Sequence, residues 1–188
     1  MYTRLLQQVG MVVFAALAYL SLFNLNQSLF SAFDFSTGVS WVYLPSGMRL
    51  MLVLLFGLWG AAGIAAASVY ITASTGYLPT DLTTAVIAGL ISGLAPWLAW
   101  KLCRDWLKLD TELHTLTAKN LAIVALVFAT VSPTLHQIWF VWRGLSEDWI
   151  TGTLVMGLGD WVGTVLMLAA GHQLLRGWRW LAIQRHSN

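Results

Sequence analysis

Apolar residues fill this chain in long blocks, and the polar positions between them mark where each block starts and stops. A helix rises 1.5 Å per residue, so about 20 apolar residues cross the roughly 30 Å of hydrocarbon in a bilayer. On that measure the blocks predict spans at 9–30, 42–56, 59–74, 83–102, 120–142 and 149–175. The first is read as a retained span, because no small-x-small cleavage site follows it. The second and third come from one apolar run, 42–74, too long for a single ordinary crossing. FGLWG at Phe56–Gly60 divides it, so Gly57 and Gly60 are a predicted helix break that leaves two short or tilted halves. A second break is predicted inside the last span, where MGLGDWVG carries Gly159 and Gly163. Gly76 to Asp81, with Pro79, reads as a turn. In the linker from Asp105 to Lys119, Trp106, Leu109, Leu113 and Leu116 recur at spacings of three and four, the pattern of a helix lying on the membrane surface.

Composition turns this pattern into a class. Hydrophobic residues make up 58% of the chain and charged ones 10%, against roughly 25% charged in soluble domains. Residues 1–188 are therefore expected to form one integral membrane domain, an all-α polytopic bundle with no room for a soluble output domain. A net charge of +2 is too small to suggest a nucleic-acid partner; the lipid bilayer is the first partner. With six crossings, Arg4, Lys101, Arg104, Lys108, Lys119, Arg176, Arg179 and Arg185 fall on one side and Arg143 on the other. The positive-inside rule then puts both termini in the cytoplasm. If 42–74 crosses only once, the N-terminus moves outside while the 101–119 linker and the C-terminus stay in.

Gly89 and Gly93, and again Gly159 and Gly163, form GxxxG pairs that let backbones approach, and Ala61, Ala62, Ala65, Ala66 and Ala67 thin the third segment similarly. Many of the 11 tryptophans lie near predicted span ends, as interfacial belts require. GLAPW at Gly93–Trp97 resembles GLGDW at Gly157–Trp161, which is read as chance recurrence. Cys103 is the only cysteine, so an internal disulfide is excluded; beside Lys101 and Arg104 it is either acylated or a packing residue.

Three ionisable residues fall inside predicted spans: Arg49, His136 and Asp160. A charge at the bilayer centre costs about 2.5 to 3.5 kcal/mol even on insertion scales, so such groups normally face protein or water and have partners. With six crossings all three lie in the outer half of the bilayer, and an Arg49–Asp160 ion pair with His136 nearby is the expected arrangement. Each has a plainer alternative. Arg49 could snorkel to the interface. His136 could satisfy backbone near the kink expected at Pro133. Asp160 could cap a half-helix beginning at Trp161. No metal-ligand spacing links the histidines, Glu147 and Asp148 read as a solvated loop pair, and Ser46 has no nucleophile-elbow context, so no enzymatic activity, cofactor or metal is expected.

Five elements occur in an order that resembles the first family of membrane-associated sensor (MASE) domains. They are the W-x3-PSG turn at Trp41–Gly47 with Pro45, Ser46 and Gly47, then LLFG at Leu54–Gly57 leading into a small-residue helix. A glycine-rich span ending in the basic pair near Lys101–Arg104, a Ser-Pro span, and GD-x-x-G at Gly159–Gly163 complete the series. The likeness covers about 40–176. It implies a multi-span input module of the bacterial cytoplasmic membrane that senses a ligand and signals to cytoplasmic enzymes. This chain is shorter than such domains and carries no output domain, so a stand-alone sensor would act through a partner membrane or signalling protein. Three functions stay open: a sensor-like module binding a small ligand or partner in an outward-facing polar pocket, a small-solute transporter or importer subunit, and a structural or assembly subunit of a membrane complex.

Overall fold

The computed structural model describes residues 2–36, 38–74, 81–109 and 116–186, with side chains of the last helix described to Gln173. Six α-helices account for most of it: α1 (Tyr2–Phe30), α2 (Leu44–Phe56), α3 (Leu58–Ser74), α4 (Leu82–Leu107), α5 (Ala118–Trp142) and α6 (Trp149–His186). Four of them, α1, α4, α5 and the Trp149–Gln173 part of α6, are long and apolar enough to cross a membrane. The halves α2 and α3, of 13 and 17 residues, rise about 20 and 26 Å and fall short of the other four.

Residue contacts give the helix directions. Asn26 meets Leu44 while Phe14 meets Phe56, so α1 and α2 run opposite ways. Gly93 lies on Ala61 and Gly89 on Val69, which sets α4 against α3. Arg143 reaches Asp81 and His136 reaches Ser92 between α4 and α5, and Gly152 lies at Gln137 with Gly157 at Ala129 between α5 and α6. The six helices therefore alternate in direction. The packed pairs α1·α3, α3·α4, α4·α5, α5·α6, α6·α2 and α2·α1 close a ring, and α2 also touches α3 and α4. As a result α2, which enters through the PSG turn, is enclosed by its neighbours: Pro45, Ser46, Gly47, Arg49, Leu50, Leu52 and Val53 are all buried.

Where α4 packs, small residues face inward and large ones outward, as expected where lipid surrounds the bundle. On α4, Ala85, Ala88, Ala95 and Ala99 are buried while Leu90, Leu94, Leu98 and Leu102 face outward. In α1 the buried residues Ala15, Tyr19, Phe23 and Asn26 form one stripe at helical spacing, flanked by partly buried Ala16, Ala18 and Leu20. Trp106 and Trp142, 72% and 73% exposed near helix ends, fit the predicted belts; Trp100, 8% exposed, belongs to the core. Cys103 is a buried free thiol packed among core residues.

Several expectations change. The predicted break inside the last span is absent: α6 runs without interruption through Gly157–Gly163, so Asp160 is an interior helix residue and caps nothing. Glycine in apolar sequence is tolerated in a helix where neighbours press on it, and here Gly159 and Gly163 lie directly against the carbonyls of Ser40 and Tyr43. Their GxxxG face thus packs on extended chain, not on a second helix. The break at Gly57 is real. Gly57 adopts φ 57° and ψ −130°, a conformation open to glycine and strained for other residues, and the chain folds back so that Gly60 lies on the Leu52 carbonyl.

Helix α4 continues through Asp105, Trp106 and Leu107 and ends at Lys108, whose φ of 52° is left-handed, so the first part of the predicted surface helix is the end of α4. Leu113 and residues 110–115 lie outside the described residues, as do 75–80 of the predicted turn. Asp81 caps α4 by accepting from the Thr84 amide at 3.0 Å. A short antiparallel pair, β1 (Asp34–Ser36) and β2 (Val39–Ser40), follows α1 after a single 3-10 turn, an element no hydrophobic pattern announced.

Candidate functional site

Arg49 is 1% exposed and Asp160 0% exposed, and they meet at the centre of the bundle. One guanidinium nitrogen, Nη2, donates to both carboxylate oxygens, Oδ1 at 2.9 Å and Oδ2 at 3.1 Å. Nη1 reaches the Ser132 hydroxyl at 3.4 Å. The guanidinium carbon lies 5.5 Å from the Tyr43 ring centroid and 5.1 Å from that of Phe128, so aromatic faces cover the cation where carboxylate does not. Arg49 therefore does not snorkel. Burying both ions costs several kcal/mol each, and their attraction offsets this only with good geometry and further hydrogen bonds.

The PSG turn supplies that geometry. Pro45 stands in the first turn of α2, where a missing N–H costs nothing. The amide of Leu44 is satisfied from another helix, by Asn26 Oδ1 at 2.9 Å. Ser46 Oγ donates to the Asp160 backbone carbonyl at 2.8 Å and lies 3.0 Å from Thr164 Oγ1, which itself donates to the same carbonyl at 2.7 Å. A Cβ on Gly47 would overlap Met167, so glycine here lets α2 lie flush on α6. Three adjacent residues thus lock the first turn of α2 to the turn of α6 that carries Asp160. Arg49, one turn further along α2, is delivered to the carboxylate.

His136 is buried on α5. Its Nδ1 lies 2.9 Å from the Ser132 carbonyl oxygen, which can only accept, so Nδ1 carries the proton and Nε2 faces the Ser92 hydroxyl at 3.3 Å as acceptor. Ser68 donates to Ser92 at 3.0 Å, making a chain of hydroxyls from α3 through α4 to the imidazole on α5. The backbone bond to Ser132 is the local role foreseen near Pro133. It does not occupy the other ring nitrogen.

Arg49, Asp160 and His136 all line one cavity of about 60 Å³. Its polar wall also includes Tyr19, Tyr43, Ser68, Thr72 and Ser92, with Gly38 and Ser40 at the hairpin end. Tyr19 and Tyr43 hydroxyls lie 2.9 Å apart. A water needs about 10 to 15 Å³ of such space, so the cavity holds on the order of four waters or one very small solute, far below the 300 Å³ or more of a drug-sized pocket. Among the described residues, no three His, Cys, Asp or Glu side chains gather as a metal set.

The structure thus brings the three ionisable candidates together, with Pro45, Ser46, Gly47, Gly159 and Gly163 as their scaffold. Gly57 and Gly60 lie at the far end of α2 and form the chain reversal. A search for charges alone overlooked Tyr19, Asn26, Tyr43, Ser68, Ser92, Ser132 and Thr164. Their signal was available: neutral hydroxyls and an amide inside apolar blocks must also find partners. Comparison with protein families, with curated proteins and with solved structures finds no match for this chain, so its chemistry is argued from the geometry of these residues.

Proposed function

We propose that this chain is a sensor-like module of a cytoplasmic membrane that binds a small polar ligand in the cavity beside Arg49 and Asp160. The observation that carries this reading is the cavity wall. All six helices contribute to it, so an occupant that contacts hydroxyls on α3 and α4, the imidazole on α5 and the ion pair between α2 and α6 biases how the helices pack. The order of elements resembling MASE sensor domains points the same way, and in this reading the response passes to a partner membrane or signalling protein. Six crossings put the hairpin end outside and the basic ends of α4 and α6 in the cytoplasm.

The test is thermal unfolding of the purified protein in detergent against a panel of small polar solutes. A binder raises the wild-type midpoint and loses that effect in Thr72→Leu, which fills the cavity without touching the ion pair. If no solute distinguishes the two proteins, the reading fails.

A transporter is the second reading, and the reversal at Gly57 favours it. Short broken helices that carry an intramembrane charge are a feature of transport sites, and short α2 carries Arg49. Solute uptake into proteoliposomes that stops with Asp160→Asn would select it over sensing.

A further inference from the structure

We infer that the ligand of this cavity is a small monovalent anion, taken up together with one proton that His136 accepts. The inference rests on the binding role proposed above and names its ligand class.

The first argument is a balance of donors and acceptors. Asp160 spends both carboxylate oxygens on a single guanidinium nitrogen, Nη2. Arg49 therefore keeps its other nitrogens: among the described residues Nε has no hydrogen-bond partner, and Nη1 has only the long contact to Ser132. The Thr72 hydroxyl stands on the same wall, whereas Ser68 and Ser92 already give their protons to Ser92 and to His136 Nε2. Arg49 lines the cavity with a guanidinium whose donors outnumber its acceptors, on a side chain that cannot lose its proton. Such a lining recognises an acceptor, and the strongest acceptors for guanidinium N–H groups are anions.

The second argument is charge. Arg49 and Asp160 already neutralise each other, so an anion alone would leave an uncompensated negative charge in a low-dielectric interior. A proton entering with it removes that penalty. The titratable or charged groups facing the cavity are Tyr19 on α1, Tyr43 and Arg49 from the start of α2, His136 on α5 and Asp160 on α6; α3 and α4 face it with the hydroxyls of Ser68, Thr72 and Ser92, and α4 also turns the Ala88 backbone carbonyl toward His136. Asp160 is held in its ion pair and the tyrosines bond to each other, whereas His136 presents an unprotonated Nε2 to Ser92. Protonation there adds a donor, and the Ser68–Ser92 chain can reorient to serve the anion. One proton and one anion enter and no covalent bond changes.

Size sets the class. Room for about four waters admits a halide, formate or nitrate and excludes sugar acids. Gly38, which is partly exposed, lies on the cavity wall at the hairpin end.

The experiment compares thermal midpoints of the purified protein in sodium chloride, nitrate or formate with sodium gluconate at equal ionic strength, at about pH 5.5 and about pH 8. Each is referenced to His136→Asn, whose amide keeps the bond to Ser132, and to Arg49→Lys, which keeps the charge. The expected result is a wild-type shift of about 3 °C for at least one small anion at the lower pH, as ligand at ten times its Kd would give. The shift disappears at the higher pH and in both variants. Equal midpoints in all salts at both pH values overturn the anion, as does an undiminished pH-dependent shift in His136→Asn. Acetamide, a neutral acceptor, separates the two levels. If it stabilises wild type but not Thr72→Leu while no anion does, the ligand class is wrong and the binding role stands; if nothing stabilises, both fall.

Discussion

At the scale of single residues, the Arg49–Asp160 pair dominates. Removing one member leaves the other charge buried and unpaired, so Arg49→Ala or Asp160→Ala is expected to cost about 3 to 5 kcal/mol, whereas the double change Arg49→Met with Asp160→Leu should recover most of that loss. Unfolding titrations of the three proteins in mixed detergent micelles measure this directly. Full stability in either single variant would mean that water reaches the pair. The same double variant is expected to abolish ligand stabilisation, which separates what holds the bundle together from what binds. The plainer alternatives foreseen for Arg49 and Asp160, snorkelling and capping, both fail for one reason: each assumes a residue acting within its own helix. Asp160 and Arg49 are 111 positions apart in sequence.

At the scale of elements, close backbone approach decides the fold. Gly163 lies on the Tyr43 carbonyl, and Gly163→Ala must push α6 off the chain that leads into α2. A loss of roughly 1 to 3 kcal/mol is expected, as for other overpacked cores. Gly10→Ala, with nothing within 4 Å of the added carbon, is the control and should be neutral. At Gly57 the space is open but the backbone conformation is not, so Gly57→Ala should cost on the order of 1 to 3 kcal/mol through strain alone. The start of α4 gives a pH dependence outside the membrane. The Thr84 amide, followed by Arg143, holds the Asp81 carboxyl below its ordinary range. A carboxyl lowered in the folded state contributes stability above its unfolded value of about 3.9, and that contribution fades as pH falls through the lower folded value. Protection factors at the amides of 82–85, corrected for intrinsic exchange at each pH, should therefore fall under acid in wild type and stay level in Asp81→Ala, in which protection is already low at neutral pH. Equal protection in both proteins at neutral pH would remove the cap.

At the scale of the whole molecule, alternating helix directions sort the polar segments into two ends, with 31–43 and 143–148 at one and the α4–α5 linker at the other. Six crossings then require Glu147→Cys to react with a membrane-impermeant maleimide in intact cells, and Lys119→Cys to react only after permeabilisation. The native Cys103 is buried and should stay silent in both. Labelling of both positions from the same side would exclude an odd number of crossings between them and break the alternation. Helix α6, with 38 residues, rises about 57 Å, nearly twice the hydrocarbon thickness, so it cannot lie wholly within one bilayer core. The apolar block ending near residue 175 marked the membrane part and was silent on the helix beyond it.

What the sequence determined by itself is what hydrophobicity and backbone rules dictate locally: a membrane-type helical bundle, the reversal at Gly57, and three ionisable residues too costly to leave facing lipid as charges. These follow from residues within a turn or two of each other. Other features were decided only by the tertiary structure. Glycines that looked like a break in α6 keep their helix because extended chain from 40–43 packs into the notch they leave. The hairpin at 34–40 rests on backbone pairing too short for any period to announce. Ser68, Ser92 and His136 lie on three helices and form a chain only once those helices pack. Helix formation in an apolar setting is enforced residue by residue, because every amide must find a partner. Which polar side chains meet is fixed by how six helices pack side by side, and no local pattern encodes that.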